Sequence, residues 1–122
     1  MKKDKYQNNL NVEFEHAQVI DIDKIVEASP HKWLNQTLTQ VNDSVIRIGI
    51  IEGNYHWHKH ENEDEFFYVI SGTLFIDLED GIITLEPNQA VTISRNVMHR
   101  TRAPKKVTML MVETKEIIPT GD

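Results

Sequence analysis

The 122 residues contain no cysteine. That excludes thiolate nucleophiles, thiolate-held metals and disulfide staples. It also fits the cytoplasm, the compartment expected here. Long apolar runs are missing too. None approaches the roughly 20 residues that span a bilayer, and the opening MKKDKYQNNLN is polar, without the apolar stretch of a secretory signal. Basic residues are in the minority: 13 Lys and Arg stand against 19 Asp and Glu, a net charge of −6. A phosphate backbone needs a basic footprint, so neither nucleic acid nor membrane is an expected partner. Glycine and proline are too sparse for a linker, and there is no repeat or low-complexity tract. Residues 1–10 therefore read as a solvated tail and 11–122 as one domain, long enough to bury a core unaided.

What is present is mostly strand. One segment, DIDKIVEAS (21–29), has helical spacing: Ile22, Ile25 and Val26 share a face, and Ser29-Pro30 stops it. The segments 32–41, 45–53, 65–72, 73–81, 82–88, 89–96 and 106–114 are alternating or β-branched and end in turn residues. Asp80-Gly81, between two alternating runs, predicts a tight hairpin. Many short strands at close spacing imply an all-β, antiparallel sandwich or barrel, with little helix and that near the N-terminus.

Three of the six histidines fall in HWHKH, at positions 56, 58 and 60. In a helix His56 and His60 would share a face. In a strand all three project to one side, roughly 6.6 Å apart, with Tyr55, Trp57 and Lys59 on the other. The flanks, VIRIGIIEG and FFYVISGTLFI, favour the strand. Paired imidazoles of this kind converge on a metal ion. On its own, an HxH pair is more often solvated sheet surface, and ENEDE more often a solvated loop. The context changes that weighting. Glu65 opens the next strand after a short reversal, and His99 is the best distant fourth donor, because His16 and His31 lie in the less ordered N-terminal third.

These residues resemble the first motif of the cupins: His-x-His, three or four residues, Glu, six residues, Gly. Here they are His58, His60, Glu65 and Gly72 at matching spacing. The leading glycine of that motif falls on Glu52, with Gly53 one place late. The second motif keeps only its histidine, His99. Asn88, Ser94 and Asn96 stand where the pattern has Gly, Pro and Gly, and Ala103 replaces the final Asn. Asn tolerates the left-handed conformation next best after Gly, so the turns can survive the change. The resemblance implies a double-stranded β-helix, or jelly-roll barrel. It also implies one divalent transition metal (Fe, Mn, Ni, Zn or Cu) held by His58, His60, Glu65 and His99, a small-molecule substrate or ligand, and a homodimer.

Two further residues are candidates for catalysis. Arg47 shares parity with Gly49 and Ile51. Facing inward it would clamp an anionic substrate; facing outward it would be solvated. His56 shares the face of the ligand pair as a base or mouth residue. Phe67, Val69, Met109 and Met111 alternate as a barrel lining, for which core packing is a sufficient reason. The expected function is metal-dependent chemistry on a small polar or anionic metabolite, isomerase- or lyase-like or oxygen-dependent, with non-catalytic binding or sensing as the alternative.

Overall fold

The computed structural model describes residues 7–30 and 32–121. His31 and residues 1–6 of the expected tail lie outside them. In chain order the elements are β1 (Gln7–Asn9), α1 (Ile22–Ala28), β2 (Leu34–Val41), β3 (Ser44–Asn54), β4 (Glu65–Ser71), β5 (Leu74–Leu78), β6 (Gly81–Leu85), β7 (Ala90–Ile93) and β8 (His99–Thr114). The fold is a jelly-roll of antiparallel strands with one short helix. One pairing is parallel: β1 runs beside β2, Asn8 opposite Asn35. The last part of the segment read as tail is therefore paired. Polarity alone did not reveal this, because an edge strand needs only free backbone groups on its neighbour.

The strand β8 organises the rest. Its first part pairs β5, with Leu78 opposite His99 and Phe75 opposite Arg102. Its later part lies between β3 and β4, so that Met111 faces Arg47 on one side and Phe67 on the other. The sequence predicts this strand only from 106; it begins at His99. Pro104 lies within it and supplies no N–H to a ladder, which breaks the pattern read from the letters.

β3 is apolar on both faces, and the two faces serve different layers. Ile48 and Ile50 pack with Leu38 against Phe14, Ile20, Ile22, Ile25 and Val26. The three helix residues predicted to share a face thus dock together on the outside of the sheet. Seven residues are too few for a helix to stand alone in water, so this docking holds α1 in place, with Asp21 Oδ1 accepting from the Lys24 N–H at 3.2 Å. The opposite parity of β3 points inward. Ile51 joins Phe67, Val69, Leu74, Ile76, Met109 and Met111 in the barrel core.

The β5–β6 hairpin forms where expected, but its turn lies one residue earlier. Leu78 pairs with Gly81, leaving Glu79 and Asp80 at the tip. Gly81 is not among the residues with positive φ, so its conformational freedom is not what the turn uses.

Candidate metal centre

Two left-handed residues shape the approach to the cluster. Gly53 has φ 110° at the end of β3, where the pairing with β8 shifts between Ile51 and Gly53. The strand ends at Asn54. His58 then rejoins the sheet alone, exchanging both backbone hydrogen bonds with His99 at 2.9 Å. On the other wall Asn96, at φ 63°, donates its N–H to the His60 carbonyl at 2.7 Å. Asn88 has φ 68°. Both asparagines that replace glycines of the second motif therefore occupy the left-handed conformation the motif requires.

The result is that His58, His60, Glu65 and His99 meet inside the barrel. All four are buried, and their donor atoms lie within 4.8 Å of one another. Glu65 Oε1 is 3.4 Å from His60 Nε2 and 3.5 Å from His99 Nε2, too long for good hydrogen bonds. Donors at about 2.0–2.2 Å from a shared ion stand about 3–4 Å apart, which these separations nearly match.

The hydrogen bonding carries the same message. His58 Nδ1 and His99 Nδ1 face the carbonyls of His56 and Val97 at 3.0 and 2.9 Å. A carbonyl only accepts, so both rings carry their proton on Nδ1 and turn an Nε2 lone pair toward the cluster. His60 Nδ1 and Nε2, His99 Nε2 and Glu65 Oε1 are buried with no hydrogen-bond partner among the described residues. Burying so many unsatisfied polar atoms is costly. A divalent cation removes most of that cost, and imidazole nitrogen with carboxylate oxygen suits a transition ion. The residues therefore fit the expected metal.

The charge states fit as well. Burial pushes the His58 pKa down from 6.5 to about 4, with His99 acting in the same direction. Burial alone would raise Glu65; the contacts of His60, His99 and Glu113 outweigh it and hold its carboxyl below the usual range. Burial, followed by the charge of Glu65, drives Glu113 upward against the pull of Arg47.

A pH dependence follows for the metal-free protein. The unfolded chain protonates His58 near 6.5 and the folded chain only near 4, so between these values the unfolded state binds more protons. Stability must then fall as pH drops from 6.5 to 4, by at most about 3 kcal/mol. Glu113 acts oppositely above 4.5, because the folded state keeps a proton that the unfolded state releases. The His58 contribution is thus read as the difference between the wild-type and His58→Gln denaturation midpoints across this window. A constant difference would refute it.

The other candidates are placed differently. Arg47 does face inward, at 1% exposure. Its Nε donates to Thr37 Oγ1 at 2.9 Å, and its Nη1 reaches Glu113 Oε1 at 2.7 Å. The guanidinium is thus engaged by two groups of the protein itself. Glu113 shares the parity of Met109 and Met111, a signal that was available in the sequence. His56 is exposed, its Nε2 donating to the Thr120 carbonyl at 2.7 Å, and it is not brought into the cluster. Strand parity fails here because β3 has ended. Tyr55, assigned to the opposite face, instead stands edge-on to His58 with centroids 5.3 Å apart.

Beside the donors is a cavity of about 50 Å³ whose wall includes Trp33, Tyr55, His58, Glu65, Phe67, Met109 and Met111. The alternating apolar residues thus both pack the core and line this space. Asn35 and Thr101 also line it. Thr101, two residues beyond His99 on β8, could have been found by parity; Trp33 and Tyr55 could not. The turn Ile118–Gly121 covers one side. Pro119 lines the cavity, and a Cβ on Gly121 would lie 2.6 Å from the Cβ of His58.

The family description "Cupin domain" matches residues 50–114, which contain all four donors. The chain belongs to the cupin family. This cupin is 36% identical over 86 residues to the uncharacterized protein YdbB of Bacillus subtilis, covering 70% of this chain and 76% of that one. A cupin-2 domain containing protein of Shewanella frigidimarina superposes with a TM-score of 0.75 at 28% identity, over 79% of this cupin and 94% of that chain. A Klebsiella pneumoniae protein with a double-stranded β-helix domain gives 0.69 at 17% identity, over 86% and 91%. At that identity the likeness concerns the fold alone. No helix among the described residues is long and apolar enough to cross a membrane.

Proposed function

We propose that this cupin is a metal-dependent enzyme acting on a small molecule. Its ion would be one of Fe, Mn, Ni, Zn or Cu, held by His58, His60, Glu65 and His99. One observation carries the reading: the partnerless buried atoms of three of these residues converge on one point beside a cavity. A bound ion of this class supplies Lewis acidity or, if Fe or Cu, redox chemistry. The protein supplies two ring orientations fixed by carbonyls and a largely apolar space beside the donors.

A second reading, capture without turnover, has a specific support. Arg47 and His56, the two candidates for catalytic work, are both hydrogen-bonded within the protein.

Elemental analysis of untagged protein, purified anaerobically without added metal, tests the site. About one transition ion per chain is expected, with at least about a tenfold loss in both His58→Ala and His99→Ala. An empty wild-type protein, or a His99→Ala protein that keeps its ion, would remove the basis of the proposal. A redox-active ion directs substrate screening to oxygen-dependent reactions, and zinc to isomerase or lyase reactions.

A further inference from the structure

We propose that the cavity beside the four donors takes a compact, uncharged molecule with an apolar body and one hydrogen-bond donor, which Asn35 accepts. This rests on the metal-site reading above and narrows its substrate class, replacing the anionic metabolite expected from the sequence.

Three observations lead there. The first is the wall. Beyond the donors it is chiefly apolar, with Trp33, Tyr55, Phe67, Met109 and Met111 beside the uncharged polar Asn8, Asn35 and Thr101, and no lysine or arginine is among its described residues. The buried cation close by, Arg47, is hydrogen-bonded to Thr37 and Glu113. A carboxylate or phosphate would find its one cationic partner in the ion itself and none in the wall, so burying it is less favourable than burying a neutral ligand.

The second is Asn35. It lines the cavity from β2, and its Oδ1 is buried with no hydrogen-bond partner among the described residues. A carbonyl oxygen accepts only, so the complement is an N–H or O–H on the ligand. A ligand lacking that donor leaves the oxygen unsatisfied, which is how buried polar groups discriminate.

The third is Gly49, opposite Asn35 in the β2–β3 register. With no side chain of its own, it leaves room for two methionine tips. A Cβ there would lie 2.9 Å from Met109 Cε and 3.0 Å from Met111 Cε. Methionine ends are the most adaptable apolar wall available, so the cavity can reshape around a small ring. At about 50 Å³, the space suits a compact ligand.

Pyrrole, furan and butyrate provide the test. Pyrrole and furan are near-isosteric neutral rings, and only pyrrole has a donor; butyrate is a small anion. Binding is followed by the methyl resonances of ¹³C-methionine in zinc-loaded protein, with the exposed Met98 as an internal control. Pyrrole is expected to shift Met109 and Met111 but not Met98, and to bind about tenfold more tightly than furan. Asn35→Leu should bring that ratio to about one. Gly49→Ala, whose Cβ meets only atoms of the Met109 and Met111 side chains, should keep the fold and the ratio while weakening both ligands several-fold. Furan binding as tightly as pyrrole, butyrate binding more tightly than either, or a ratio unchanged in Asn35→Leu would each overturn the proposal. Zinc content is measured on every sample. A wild-type chain that takes up no zinc defeats the metal reading, whereas a loaded chain without a preference for pyrrole defeats this inference alone.

Discussion

Gly72→Ala should cost the protein at least about 3 kcal/mol, a large part of the roughly 5–15 kcal/mol that holds a domain together. Two penalties combine. Gly72 has φ +84°, a conformation that costs a residue with a Cβ about 1–2 kcal/mol. The added Cβ would also collide with the Lys106 carbonyl oxygen and fall 3.1 Å from the Val107 Cα. Both are backbone atoms of β8, so no rotamer change relieves the contact. Gly81 is the control. It has no positive φ, and nothing lies within 4 Å of a Cβ placed there. Gly81→Ala should be neutral or slightly stabilising, through a less flexible unfolded chain. Urea denaturation of the two variants decides the matter. If Gly72→Ala unfolds within about 0.5 kcal/mol of wild type, β4 and β5 must be able to separate from β8 at little cost.

Arg47→Met should lower stability by about 3–5 kcal/mol, the usual cost of removing one partner of a buried pair. For a domain of this size that is a fall in Tm of about 12–20 °C. The guanidinium satisfies Thr37 Oγ1 and Glu113 Oε1 together, with 2% and 1% of the Arg47 and Glu113 side chains exposed. Removing it leaves two carboxyls, Glu113 and Glu65, facing each other without a cation. One must then take up a proton more firmly. The double variant Arg47→Met/Glu113→Leu removes both buried groups and should recover most of the loss. Differential scanning calorimetry of the metal-free proteins gives the comparison. An Arg47→Met protein that melts like wild type, together with a double variant that is worse, would mean the pair is not what stabilises this layer.

The sequence shows clearly those features that depend on short periods. Strand alternation placed Phe67, Val69, Met109 and Met111 in the core, and the i, i+3, i+4 spacing of Ile22, Ile25 and Val26 chose the face that α1 docks. The four donors were legible because motif spacing records where loops close. Two asparagines at glycine positions were legible because one conformational property links the two residue types. What remained hidden depends on distant geometry. The pairing of Arg47 with Glu113 joins residues 66 positions apart, and alternation fixes only the layer of each. The turn of Tyr55 toward His58 follows from the irregularity at Gly53, after which a two-residue period no longer tells sides apart. The strand at Gln7–Asn9 has a polar sequence because one neighbour's free backbone edge is enough to hold it.

β8 is the last strand in chain order, yet β3, β4 and β5 all take their partners from it. A ribosome makes those three strands first and leaves each with an open edge until β8 emerges. Closure of the barrel is therefore a late, long-range event, of the kind that folds slowly and exposes strand edges to neighbouring chains in the meantime. The order of synthesis also governs when an ion can be captured. His58, His60 and Glu65 leave the ribosome early, but His99 is the first residue of β8. An ion that meets the growing chain finds three donors on one short, unfolded stretch, 58–65, without the fourth and without the sheet that fixes their directions. If the site holds an ion as proposed, its loading would wait for barrel closure, and the finished protein would take its ion from those the cell then offers.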